Sequence, residues 1–127
     1  MAATILRSRR VSDPLVESCD LCRSRHYIAA VCLAKVAVDH AMSELALAVR
    51  PTLKRFYSGK RLMGFLRAEG AIDGKLAADL TTHCQRCYAL MNEPTGRRVD
   101  VQQVIHTAAK LRRRLREVQR SGKGGAV

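Results

Sequence analysis

The sequence predicts an all-α fold, a compact bundle of four or five helices stapled by one structural zinc ion. No segment shows the alternating apolar and polar pattern of a strand. Hydrophobic residues make up 47% of the 127 residues, but aromatic residues only 4% and tryptophan none, so the core is expected to be aliphatic, a composition that favours helices. Two Cys-x-x-Cys pairs, more than sixty residues apart, have a spacing suited to a shared metal ion.

A single helical domain is predicted to span residues 13–120, because a chain of this length suits one domain. It follows a flexible basic segment at 1–12 and precedes a flexible, glycine-rich tail at 121–127. The first twelve residues lack the apolar centre of a secretory leader, and their arginine-rich, acid-free composition also suits a short mitochondrial presequence. Charged side chains interrupt the apolar stretch at 28–49, so we interpret it as a buried helix with no transmembrane segment.

The first helical segment is expected to begin at Asp13-Pro14, where aspartate caps the helix and proline occupies its first position. One helical face then carries Leu15, Cys19, Cys22 and His26. Residues 14–50 form either one long helix or two helices joined at a kink near residues 24–27. Pro51 ends the segment, because proline disfavours helical geometry in the residue before it.

Shorter elements follow before the final helix. Residues 52–58 suggest a helical turn, and a short helix is expected from Arg61 to Ala68. Asp73 is predicted to cap a helix from Gly74 to about Asn92. The apolar face of that helix includes both thiols of the second pair, and its members are Leu76, Leu80, Cys84, Cys87, Tyr88 and Met91.

The last helix is predicted to begin after the break at residues 93–96, with Asp100 as its cap. An apolar stripe runs along it, formed by Val101, Val104, Ile105, Ala108, Leu111, Leu115 and Val118. The arginines of this helix face elsewhere, namely Arg112, Arg113, Arg116 and Arg120. The stripe is therefore expected to pack on the domain while the arginines remain available to a partner.

The two Cys-x-x-Cys pairs are the candidate metal site. Four thiolates complete a tetrahedral zinc site, and the predicted ligands are Cys19, Cys22, Cys84 and Cys87, with His26 and His83 in reserve. Such a zinc would clamp two distant helices. Two alternatives stay open: the thiols pack independently in the core as small hydrophobes, or they have a redox or disulfide role. The odd count of five cysteines favours a reducing intracellular compartment, the nucleus or cytoplasm, with the mitochondrial matrix as a lesser alternative.

The charge of the chain indicates a polyanionic partner, RNA or DNA. The net charge is +12, and the run from Lys110 to Lys123 holds seven basic residues and one acid. The sequence Lys54–Arg61 also interleaves cations with two aromatic rings, a combination suited to single strands. The predicted nucleic-acid contacts are Lys54, Arg55, Phe56, Tyr57, Lys60, Arg61, Arg97, Arg98, Lys110, Arg112, Arg113, Arg114, Arg116 and Arg120. The alternatives are a solvated arginine face without a ligand and aromatic rings that anchor the loop in the core.

No catalytic motif is present in the sequence, so we expect a non-enzymatic protein without a small-molecule substrate. Small size, strong basicity and paired cysteines resemble, in composition only, the small nucleic-acid-binding accessory proteins of viruses. The leading hypothesis is a zinc-stabilised helical protein that binds RNA or DNA through phosphate contacts with low sequence specificity. The alternative is a helical interaction or assembly subunit, part of a homo-oligomer or of a complex with a protein partner or a ribonucleoprotein.

Overall fold

A computed structural model of the chain describes residues 13–53, 59–92 and 98–125. Within these residues the chain is all-helical, as predicted. The five helices are α1 (Pro14–Arg23), α2 (Tyr27–Val49), α3 (Gly59–Ala68), α4 (Gly74–Asn92) and α5 (Arg98–Gly125). The turn expected at residues 52–58 falls mostly outside the described residues.

Two aspartates start helices where the sequence places them. A side-chain oxygen of Asp13 accepts a hydrogen bond from the backbone N–H of Leu15 at 3.0 Å, so it caps α1. In the same way, Asp73 accepts a hydrogen bond from the N–H of Leu76 at 2.7 Å at the start of α4. Both predicted caps are therefore confirmed.

The segment from residue 14 to 50 consists of two helices, and the break lies at residues 24–26, within the predicted kink. The N–H of His26 donates to the carbonyl of Leu21 at 2.8 Å, and the N–H of Arg25 donates to that of Cys22 at 3.1 Å. This paired bonding is the Schellman motif that ends many helices. Its left-handed residue is Arg25, with φ of +66°, a position where glycine is usual.

The same motif ends α3, this time with a glycine. Gly70 has φ of +74°, and the N–H of Ala71 donates to the carbonyl of Leu66 at 2.9 Å. The chain then enters α4 after only three more residues. Helices α3 and α4 therefore form a tight helical hairpin.

The bundle is organised around α2 and α5, which share its most extensive helix–helix contact. One core cluster joins four helices through leucines that are at most 2% exposed, Leu45, Leu66, Leu80 and Leu111. A second cluster, at the end of the bundle where α1 turns into α2, contains Cys22 and Cys87 among small aliphatic residues. There the Ser18 hydroxyl, fully buried, donates to the carbonyl of Ala30 at 2.6 Å and joins α1 to α2.

The last helix differs from the prediction at both ends. It begins at Arg98, so Asp100 lies in its first turn rather than at its cap. An acidic side chain is favourable there because the helix dipole is positive at that end. The helix also continues to Gly125, beyond the boundary predicted at residue 120. Of the helices in the described ranges, none is both long enough and apolar enough to cross a membrane.

Candidate nucleic-acid interface and the cysteine pairs

Each Cys-x-x-Cys pair places one thiol in the core and the other nearer to solvent. Cys22 and Cys87 are buried, whereas Cys19 is half-buried and Cys84 is exposed. The prediction that both thiols of the second pair lie on the apolar face of α4 is wrong for Cys84. The buried face of α4 instead runs through His83 to Cys87, so it is turned away from Cys84 and from Tyr88, which is 59% exposed.

The two buried thiols belong to the same core cluster, but the helices that carry them do not pack against each other. Helices α2 and α5 each contact both α1 and α4. In the described parts of the chain, no three residues of the types that bind zinc come together as a possible metal site. The two reserve ligands also differ in exposure: His26 is exposed at the α1–α2 turn, whereas His83 is buried. The shared zinc stays a prediction.

The Cys87 thiol lies 3.5 Å from Nε2 of His83, one helical turn earlier, in a buried pair. Burial raises the pKa of Cys87 to about 12, and it lowers the pKa of His83 below its ordinary value of 6.5. Both groups are therefore neutral at pH 7. A neutral, buried thiol lacks the thiolate character that redox chemistry requires, so this geometry fits core packing better than it fits the redox alternative for Cys87.

Three of the cations predicted to contact phosphate form contacts within the fold. The guanidinium of Arg112 donates two hydrogen bonds to Asp13, at 2.7 and 2.5 Å. Nε of Arg114 donates to the carbonyl of Ala71 at 2.6 Å. Nζ of Lys110 donates to Asp79 at 2.5 Å. These three side chains are partly buried, and each donates at least one hydrogen bond within the chain.

The other three arginines of the predicted row are differently placed. Arg113, Arg116 and Arg120 are all exposed, and none of them forms a hydrogen bond or ion pair with another described residue. Their spacings of three and four residues put them on one side of α5. We call these three residues the α5 arginine row. Arg98, at the other end of the same helix, is exposed as well.

The second predicted contact segment is only partly described. Lys60 and Arg61 lie in the first turn of α3 and are exposed. The remaining predicted contacts lie outside the described residues and are Lys54, Arg55, Phe56, Tyr57 and Arg97. The stacking of the two rings on bases therefore stays a prediction.

The acidic side chains explain why the arginine row lacks partners. Six carboxylates, more than half of the 11 acidic residues, form ion pairs within the described chain: Asp13, Asp20, Asp39, Glu69, Asp79 and Glu117. With 23 basic residues in the sequence, cations remain in excess after these pairs are made. The excess is therefore carried by exposed cations, and the α5 arginine row holds three of them within eight residues of one helix.

The chain matches no protein-family model, no curated protein and no solved structure in the three comparisons made. The compositional resemblance to viral accessory proteins accordingly stays a prediction.

Proposed function

We propose that this is a non-enzymatic protein that binds RNA or DNA through phosphate contacts, with low sequence specificity. The observation that supports this proposal is the α5 arginine row, whose three guanidinium groups face solvent without an acidic partner among the described residues. Arginine is suited to this role because its planar group donates two parallel hydrogen bonds to a phosphate. Their neighbours on α5 are already bonded within the chain, which limits the contact surface to this side of the helix.

The row fits a nucleic-acid backbone better than it fits a single small anion. Residues at spacings of three and four along a helix lie about 5 Å apart along its axis, so the row extends over about 10 Å. Phosphates repeat at a comparable scale along a strand, about 3.4 Å of helix axis per nucleotide in B-DNA. Contacts of this kind position a protein on nucleic acid but do not read bases. Binding is therefore expected to tolerate changes in sequence.

Salt dependence is the measurement that tests the proposal. Affinity for a labelled RNA and for a duplex DNA is measured by fluorescence anisotropy over roughly 50–200 mM salt. The triple variant Arg113→Gln, Arg116→Gln and Arg120→Gln should bind more weakly. Its salt slope should be smaller by about 3, because each lost phosphate contact removes about one released counterion.

A control variant that loses the same number of positive charges elsewhere distinguishes a specific contact surface from general attraction between a basic protein and nucleic acid. Arg25→Gln, Lys75→Gln and Arg86→Gln together remove three exposed cations outside α5 that form no ion pair with another described residue, and leave the row intact. This control should keep most of the wild-type slope. If the two triple variants lose affinity and slope equally, the row is not the contact surface; if wild type shows no salt-dependent binding at all, the proposed function is wrong.

The zinc ion predicted from the sequence is a separate proposal. Native mass spectrometry of freshly purified protein tests it, because the mass reports bound metal and assembly state together. One zinc per chain, lost when Cys22 or Cys87 is replaced by alanine, would support it. A metal-free monomer that remains folded would contradict it.

A further inference from the structure

A groove lies between α2, α3 and α4, on helices other than the one that carries the arginine row. Its volume is about 830 Å³, within the range of protein binding sites. Apolar side chains from all three helices line it, among them Val38, Met42, Leu62, Met63 and Leu80. Two of these are methionines, whose flexible thioether side chains adapt to different apolar partners.

The α3–α4 hairpin gives the groove its length. The guanidinium of Arg67 lies over Gly74, where an added Cβ would come within 3.2 Å of it. Further along, the Thr81 hydroxyl is 3.5 Å from the sulfur of Met63, so the two helices run antiparallel. The groove follows α4 from Gly74 to Tyr88. Tyr88 lies fourteen positions after Gly74, which corresponds to about 21 Å along the helix, or four helical turns.

The rim of the groove is cationic. Lys60 and Arg67 both line it, are exposed, and form no ion pair with another described residue. They are seven residues apart on α3, which places them about 10 Å apart along that rim. On the α2 side, Lys35 is already paired with Asp39 at 3.0 Å. The free positive charge is therefore spread along the α3 wall rather than gathered at one point.

This combination indicates the kind of ligand that fits. A single-chain lipid could fill the apolar floor, but its one head group would meet only one of the two cations. A helix with an apolar face and acidic residues two turns apart would meet both cations while its apolar side chains fill the floor. The chain's own residues 1–12 are unsuited to this site, because they contain three arginines and no acid.

We propose that the groove between α2, α3 and α4 binds an acidic amphipathic helix of a partner protein. Helix-in-groove recognition of this kind uses apolar anchors one and two turns apart. The groove is separate from the α5 arginine row, since none of its lining residues lies on α5.

Two exposed cysteines provide a direct test. Cys84 lines the groove, whereas Cys32 is exposed but does not line it, so the second thiol is an internal control. The probe is a synthetic peptide of about four helical turns with leucine along one face and glutamate along the other. At a peptide concentration about tenfold above its Kd, alkylation of Cys84 by iodoacetamide should slow about tenfold, because only about one site in eleven stays open. The alkylation rate of Cys32, measured in the same sample by mass spectrometry, should not change.

Two further peptides and one variant exclude general attraction to a basic protein. A peptide with the same glutamates but serine in place of leucine should not protect Cys84, and neither should one with lysine in place of glutamate. In the double variant Lys60→Glu and Arg67→Glu, protection should pass from the acidic to the basic peptide. The matched variant Lys75→Glu and Arg86→Glu, which changes two exposed cations outside the groove, should behave like wild type.

The proposal is overturned if the acidic peptide protects neither thiol, or both equally. It is also overturned if hexadecanoate protects Cys84 while the acidic peptide does not, because the site would then take a lipid. An unchanged preference for the acidic peptide in the Lys60→Glu and Arg67→Glu variant would equally contradict it. None of these outcomes depends on whether the α5 arginine row binds nucleic acid.

Discussion

Arg112 and Asp13 are 99 positions apart in the sequence, and the guanidinium of one forms a two-point ion pair with the carboxylate of the other. The same carboxylate caps α1. One side chain therefore both starts the first described helix and fixes it to the last. This contact leaves Arg112 less available to a phosphate than the exposed arginines of the same run.

Replacement of Asp13 should separate its two roles. Asp13→Ala removes cap and ion pair, and it should lower the free energy of unfolding by about 1–2 kcal/mol. Asp13→Asn should cost less, because asparagine caps helices as well as aspartate does and only the charge is lost. Urea denaturation of both variants measures this difference. Equal losses in the two variants would show that the cap contributes nothing beyond the ion pair, whereas no loss in Asp13→Asn would show that the ion pair contributes nothing.

The ion pair of Asp13 also predicts that the stability of the fold depends on pH in the acidic range. The hydrogen bond from Arg112 holds the pKa of Asp13 below its ordinary value of 3.8. The ion pair therefore stabilises the fold above that value, and this contribution is lost as pH falls through the lowered pKa. The stability gap between wild type and Asp13→Asn should accordingly shrink in strong acid. If the stability difference between wild type and Asp13→Asn stays constant into strong acid, the ion pair does not stabilise the fold in the way proposed.

His83 predicts a second loss of stability, at milder pH. Burial lowers its pKa in the folded protein below 6.5, the value expected for the unfolded chain. The unfolded state then binds the proton more readily, so stability is complete above about pH 6.5 and falls as pH drops below it. Two charged side chains on α2 also act on the pKa of His83: Asp39 raises it and Lys35 lowers it.

Thermal unfolding between neutral pH and pH 5 checks this expectation. The variant His83→Leu should show a weaker decline in Tm over that range than wild type does. His106→Gln, which changes an exposed histidine on α5, is the matched control and should follow wild type. A decline that is the same in all three proteins would assign the effect to other groups.

Arg25 offers a stabilising substitution. Its φ of +66° is costly for a residue with a Cβ, by roughly 1–2 kcal/mol, and costs glycine almost nothing. Arg25→Gly should therefore raise the free energy of unfolding by about 0.5–1 kcal/mol, after allowance for the greater freedom of glycine in the unfolded chain. Arg25→Ala removes the same charge but keeps the strain, so it should give no such gain. A gain of equal size in both variants would point to charge rather than backbone geometry.

The reactivity of the cysteines should follow their exposure to solvent. Cys32 and Cys84 are exposed and should react with Ellman's reagent in the folded protein, whereas Cys22 and Cys87 should react only after denaturation. For Cys87 the raised pKa, about 12, slows the reaction further, because the thiolate is the reactive form. Rapid modification of Cys87 in the native state would instead support the redox alternative.

The sequence was sufficient to predict the starts of α1 and α4 and the break between α1 and α2, because these depend on local features. The caps at Asp13 and Asp73 and the break near residue 25 follow from a few neighbouring residues and from helical periodicity. The partners of the α5 cations could not be predicted in this way. Periodicity places Arg112, Arg113 and Arg114 around a helix, but only tertiary packing decides which of them meets a distant carboxylate or carbonyl. The exposure of Cys84 was misjudged for the same reason, since an apolar stripe fixes a face only to within about one residue.

The hydrogen bond between Ser18 and Ala30 has a consequence for recognising distant relatives of this chain. Both residues are fully buried, and the 2.6 Å contact brings a side chain of α1 directly onto the backbone of α2. A bulkier group at either position would force the two helix axes apart. Homologues that keep this crossing should therefore retain side chains of minimal volume at both places, even where the rest of the sequence has diverged. A search profile that weights those two sites together with the Asp-Pro start of α1 would exploit this geometric constraint.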